Sequence, residues 1–174
     1  MDKKMELFEA AQRIINSRGV SHLTLENIAK EAGMSKGGLL YHYPNKNALI
    51  EGGIKGVLEN YAKEMENLNS QDTQNGHFLR SYAEVSLNNP QQLTSGLLAA
   101  ISTNPELLQP IQDHYQNWQG KIEEDGLDPV LATIVRLTID GLWFCDLFGL
   151  APPEGELRKD LLERLFQLTQ TEQE

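Results

Sequence analysis

A single cysteine, Cys145, leaves this 174-residue chain without the means to form an internal disulfide. Its setting in the apolar run DGLWFCDLF reads as a small buried hydrophobe. Aromatic residues are also scarce, at 7%, and no apolar run approaches the ~20 residues that a transmembrane helix requires. The N-terminal MDKKMELFEAAQRI has two lysines but no continuous apolar block, so a secretory signal is not expected and the protein is expected in the cytoplasm, away from membranes. No stretch alternates apolar and polar residues as a half-buried strand does. No glycine-rich phosphate loop, nucleophile elbow or Cys–His pairing occurs. The histidines, His22, His42, His77 and His114, lack ligand spacing, and the run Glu123, Glu124, Asp125 reads as a solvated cluster at a helix end. These absences argue against an enzyme: catalytic residues, metal and cofactor are all expected to be none.

What is present is a globular composition, 40% hydrophobic and 23% charged, in a chain long enough to bury a core. The net charge of −10 argues at first against nucleic acid as a partner. Its distribution reverses that reading. Residues 1–49 hold seven Lys and Arg against five Asp and Glu, a net +2, while the remainder carries −12. Such asymmetry suits a small nucleic-acid module on an acidic body.

Helical periodicity runs the length of the chain. Leu7, Phe8, Ala11, Ile14 and Ile15 define a first amphipathic helix, ended near Gly19. Thr24 is an N-cap for a second, carrying Leu25, Ile28 and Ala29, which Gly33 ends after two turns. Ser35 caps a third short helix that contains Leu39 and runs to about Tyr43, where Pro44 stops it. Asn45 opens a long fourth helix to about Leu68. Five more follow: one on Phe78, Leu79, Tyr82, Ala83 and Val85; one with Leu93, Leu97, Leu98 and Ile101 inward; one from the Asn104 cap through Ile111, Tyr115 and Trp118; an apolar one from Val130 to Leu150; and a last one bearing Leu157, Leu161, Leu162, Leu165, Phe166 and Leu168. About nine helices are expected, in an all-α fold.

The second and third helices, short and joined by a glycine turn, have the helix-turn-helix arrangement, whose second member enters the major groove with its N-terminal residues at base edges. Gly37 and Gly38 at its start let backbone approach DNA closely. Lys36 is placed to reach guanine acceptors or a phosphate, and Ser35 to cap the helix and aim amides at a phosphate. Tyr41 and His42 can donate to phosphate oxygens, Lys46 and Thr24 add backbone contacts, and Tyr43 is expected in the core.

TLENIAKEAGMSKGGLLYHYPNKNAL closely resembles the DNA-binding region of the TetR family of transcriptional regulators, across some 25 contiguous residues and the flanking helices. The resemblance implies a DNA-binding domain over residues 1–45 and a helical ligand-binding and dimerisation domain over 46–174. It implies a repressor that binds palindromic double-stranded operator DNA as a homodimer and is controlled by an unidentified small-molecule effector. Two departures bear on specificity. Leu40 stands where many members carry tyrosine, and leucine can instead touch a thymine methyl; Gly38 stands where others place threonine or asparagine.

In the body, Phe78, Tyr82, Tyr115, Trp118, Asp140, Trp143 and Phe144 are candidates to line an effector pocket. Arg136, Asp140, Trp143 and Leu147 share a helix face, so Arg136 and Asp140 either pair with each other at a dimer surface or Asp140 meets a cationic ligand. Candidates for the dimer interface are Arg136, Leu147, Leu157, Leu161, Leu165 and Phe166, in the two helices that dimerise in the resembled family. The competing reading is a helical protein-interaction module that retains the helix-turn-helix with little or no use of it.

Overall fold

The computed structural model describes residues 3–88 and 98–170. Among them every regular element is helical: α1 (Lys3–Arg18), α2 (Leu25–Glu31), α3 (Lys36–His42), α4 (Lys46–Asn69), α5 (His77–Asn88), α6 (described over 98–103), α7 (Gln109–Glu123), α8 (Pro129–Phe148) and α9 (Gly155–Leu168). Short 3-10 turns cover Val20–His22 and Pro105–Leu108. The all-α expectation holds among these residues. Leu93 and Leu97, expected to face inward, lie outside them.

Helix starts are set by the side chains that the sequence puts there. Thr24 Oγ1 accepts from Asn27 N at 3.2 Å, Ser35 Oγ from Gly38 N at 3.0 Å, and Asn45 Oδ1 from Ala48 N at 2.9 Å. Each satisfies an amide that the first turn of a helix leaves without a partner. Gly33, at φ +67°, turns the chain out of α2 so that Met34 N reaches Ala29 O at 2.9 Å, a conformation that would strain any residue with a Cβ.

The described residues fall into two compact units, 3–60 with 98–113 and 61–88 with 114–170. In the first, Leu7, Phe8, Ile14, Ile28, Leu39, Leu49, Ile50 and Ile54 are fully buried around α1 to α4. The seam between α1 and α4 is close: a Cβ built on Gly53 would lie 1.8 Å from the Phe8 ring, and one on Gly52 would lie 2.8 Å from the buried Tyr43 ring.

In the second unit, Met65, Leu79, Tyr82, Val85, Ile122, Ala132, Val135 and Ile139 make the core. Arg80 clasps several strands of the chain together there. Its Nη1 donates to Thr169 O at 2.6 Å and to Asn75 O at 2.9 Å, and its Nε donates to Asp72 Oδ2 at 2.8 Å. The hydrogen bond from Gln74 N holds the Asp72 carboxyl below its ordinary range, with Arg80 acting in the same direction.

Several expectations are corrected. Asp125 is not solvated: Gly126, at φ +81°, turns the chain after α7 and leaves the Asp125 side chain buried. Ile101 faces solvent because Ala99 and Ala100 take the inward positions of α6. Leu25 is half-buried, since at the first position of a seven-residue helix it lies at the rim while Ile28 and Ala29 reach the interior. Cys145 is half-buried rather than buried, lying on α8 beyond its last fully buried residue, Leu142.

Candidate functional site

The first candidate site is the exposed side of α3. Leu39 is fully buried and Tyr43 nearly so, and these two anchor the helix. At 100° per residue, Gly37 and Tyr41 lie 160° from Leu39 and Leu40 lies 100° from it, while Lys36, 60° from it, is exposed at the first position of the helix. Lys36 and Gly37 are exposed, Leu40 is 41% exposed and Tyr41 is 87% exposed. Thr24 and Ser35 are exposed at the helix starts they cap, and Gly38, His42 and Lys46 are half-buried. The His42 ring lies edge-on to Tyr41 at 5.3 Å. An ion pair between Arg13 and Glu31, at 3.1 Å, joins α1 to α2.

No packing inside the chain requires Gly37. A Cβ there would meet only the capping Ser35 Oγ, at 4.0 Å, and at Gly38 the same atom at 3.3 Å. Each glycine costs a helix interior roughly 1 kcal/mol relative to alanine. Gly38 thus sits close to the cap, whereas at Gly37 the first turn of α3 shows bare backbone to the outside for no reason internal to the fold.

The second candidate region is in the body. Tyr82 Oη donates to Asp140 Oδ1, and Arg136 Nη1 donates to Asp140 Oδ2 at 2.9 Å. Trp118 stands edge-on to Tyr82 at 5.8 Å and tilted against Tyr115 at 5.4 Å. Burial raises the Tyr82 hydroxyl far above its ordinary value, with nearby Tyr115 and Asp140 adding to it, and pushes Tyr115 up to about 12. Burial also holds the Asp140 carboxyl above its ordinary range, against the opposing pull of Tyr82 and Arg136. Arg136 Nε is buried without an acceptor. The Arg136–Asp140 pair foreseen from the sequence is formed within one chain, and the third member, Tyr82, arrives from α5.

Beside this cluster lies a half-open cleft of about 460 Å³, lined by Met65 and Asn69 of α4, His77 and Phe78 of α5, and Trp118 and Lys121 of α7. Of the pocket candidates, Phe78 and Trp118 line it, whereas buried Tyr82 and half-buried Tyr115 and Asp140 make the adjacent cluster. Trp143 is half-buried on α8. Phe144 does not face the interior: it is 48% exposed and packs on Phe148 with ring centroids 4.7 Å apart.

Phe144 belongs instead to an outer stripe of α8, with Val130, Ile134, Leu137 and Phe148, all exposed and all at helical spacing. On α9, Leu157 is exposed and Leu161 and Phe166 are half-buried. Leu165 is buried within its own chain, because it is the residue by which α9 packs inward. Arg136 faces Asp140, and Leu147 is half-buried.

Asp125 is the residue that the sequence hid. Its two carboxylate oxygens accept from Phe78 N at 3.1 Å and Leu79 N at 2.8 Å, which caps α5 from 46 and 47 residues away. His77 Nδ1 is 3.2 Å from Oδ1. Among the described residues no cluster of three or more His, Cys, Asp or Glu side chains suits a metal, and no helix is long and apolar enough to cross a membrane.

The exposed helix pair on a three-helix core, joined to a helical body, defines a helix-turn-helix regulator. Residues 7–52 match the family described as "Bacterial regulatory proteins, tetR family", and residues 76–170 match "Tetracyclin repressor-like, C-terminal domain". The chain belongs to the TetR family of transcriptional regulators, which are not enzymes. It is 36% identical over 50 residues to the HTH-type transcriptional regulator TtgR of Pseudomonas putida, a match covering 29% of this chain and 24% of that regulator. The chain thus aligns with about a quarter of the length of that relative. The fold agrees throughout with the fatty acid degradation regulator FadR from Bacillus halodurans, at TM-score 0.75 and 15% identity, covering 100% of this chain and 99% of the other. It also agrees with the ketosteroid transcriptional regulator KstR2 of Mycobacterium tuberculosis, at TM-score 0.67 and 16% identity, covering 97% and 93%.

Proposed function

We propose that this regulator is a cytoplasmic repressor that binds a palindromic operator as a homodimer and is controlled by a small molecule held in its helical body. The bare first turn of α3 carries the DNA half of this reading. Gly37, which the fold does not require, leaves room for a groove wall, and Lys36, Leu40 and Tyr41 stand exposed near it. In this reading Lys36 contacts a guanine edge or phosphate, Leu40 a thymine methyl, and Tyr41, His42, Ser35, Thr24 and Lys46 the sugar-phosphate backbone. The DNA-binding domain ends near residue 45 and the regulatory domain follows.

The dimer half rests on the outer stripe of α8 with Leu157 of α9. Contiguous exposed apolar surface of this kind is a partner surface. Two modules of modest positive charge then read successive major grooves roughly 34 to 36 Å apart, and the acidic body disfavours any other orientation on DNA. An effector that binds one spacing of the modules better than the other shifts the population toward it.

Selection of bound duplexes from a random pool tests the reading, with the Lys36→Ala, Tyr41→Ala double variant alongside. The expected outcome is a palindrome recovered by the wild type alone, with the log–log salt slope falling by about 0.9 for each phosphate contact removed. Recovery of no motif at low salt overturns it.

A further inference from the structure

We infer that the cleft between α4, α5 and α7 takes a lipophilic amine, an apolar or aromatic body carrying a protonated nitrogen with at least one N–H. This rests on the reading that the body binds an effector, and it names the chemistry of that effector.

The floor of the cleft is apolar and aromatic, formed by Met65, Phe78 and Trp118, all nearly inaccessible to bulk solvent. Its polar atoms are mostly acceptors. Asn69 Oδ1 is buried and meets no donor of the protein, an arrangement that is unfavourable until a donor arrives. Glu66 and Glu124 line the same cleft as carboxylates on its exposed side. His77 Nδ1 lies 2.9 Å from Gln74 O and 3.2 Å from Asp125 Oδ1; both are acceptors, so Nδ1 is the donor toward them. Asp125 adds negative charge behind the wall, although its oxygens are taken by the amides of Phe78 and Leu79.

Lys121 is the cation among the lining residues, and it shows what the floor prefers: its Nζ lies 5.2 Å from the Phe78 ring centroid. A ligand ammonium placed there keeps the cation–π attraction, gains Glu66 and Glu124, and gives Asn69 its donor. Lys121 is exposed and flexible, so it can turn to solvent. A carboxylate ligand, by contrast, would face Glu66, Glu124 and the unpartnered Asn69 oxygen with Lys121 alone in its favour. The volume suits a drug-sized molecule.

The test is calorimetric titration of the full chain with three probes on one ring: 1-naphthylmethylamine, 1-naphthalenemethanol and 1-naphthoate. The amine is expected to bind at least about tenfold more tightly than the carboxylate, with the alcohol between. Lys121→Gln is expected to strengthen amine binding severalfold by removing the competing cation, and Glu66→Gln with Glu124→Gln to weaken it about tenfold. Asn69→Leu is expected to weaken the amine more than the alcohol. Naphthoate binding as tightly as the amine, a Lys121→Gln variant that binds the amine more weakly, or no binding by any probe to folded protein each overturns the inference. Failure of the regulator reading shows itself separately, as an operator complex that the bound amine leaves intact or as no selected operator at all.

Discussion

The caps of α2, α3 and α4 each close over three residues, from Thr24 to Asn27, Ser35 to Gly38 and Asn45 to Ala48. The polar anchors of the body span far more: 46 residues from Asp125 to Leu79, 58 from Tyr82 to Asp140, and 89 from Arg80 to Thr169. The difference shows two ways of holding side chains still. Around α3, local hydrogen bonds fix the helix ends, and the apolar core of α1 to α4 presents the outward residues. In the body a helix start, a half-buried carboxylate and the carbonyl that ends α9 depend on partners from distant segments. A disturbance at one of these sites is therefore felt along α5, α7, α8 and α9 together.

The sharpest way to break this contrast is at a place where the N-terminal helices rely on long-range fit. Gly53→Ala puts a Cβ into the Phe8 ring, and the resulting overpacking should cost about 3 kcal/mol in urea denaturation despite alanine's better helix propensity. Phe8→Leu in the same background should recover part of it. Next in size, Asp125→Ala leaves two amides of α5 without their acceptor and should cost about 2 kcal/mol, whereas alanine at the adjacent exposed Glu124 should change stability by less than about 0.5.

Ser35→Ala removes a local cap and should cost about 1 kcal/mol, with Ser35→Gly costing only a few tenths. A smaller loss than for Asp125→Ala would support the distinction between local and distant capping. The smallest effect is in pH dependence. Asp140 has a raised carboxyl, so its contribution is full below the ordinary value of 3.8 and declines as pH rises through the folded-state value. Asp72 is lowered, so its contribution is present above 3.8 and is lost as pH falls below it. Denaturation midpoints from pH 3 to 6 should thus drift in favour of Asp140→Asn relative to wild type as pH rises, and in favour of wild type relative to Asp72→Asn.

The same contrast governs what the sequence discloses. Helix existence, the Thr24, Ser35 and Asn45 caps and the outward set on α3 follow from periodicity and short-range chemistry, and all were legible. Asp125 was not. An acidic run after a helix reads as solvated unless one knows that Gly126 turns it back onto the start of a helix 47 residues earlier. Phe144 was misplaced for a related reason: α8 is apolar on nearly every side, so periodicity does not tell the inner face of Ala132, Val135, Ile139 and Leu142 from the outer stripe of Val130, Ile134, Leu137 and Phe144. The Arg136–Asp140 pair was visible as an i, i+4 spacing, but its Tyr82 partner came from another helix and left no local trace.

The Arg80 clasp also bears on the order in which the protein is made. Its bond to Thr169 cannot form until α9 has left the ribosome, whereas the N-terminal helices can close as soon as the first half of α4 emerges to cover Phe8 and Tyr43. During synthesis the chain therefore passes through a stage in which its N-terminal helices are shaped while the second unit is still unassembled. Synthesis speed and chaperone access thus act mainly on the later-folding half.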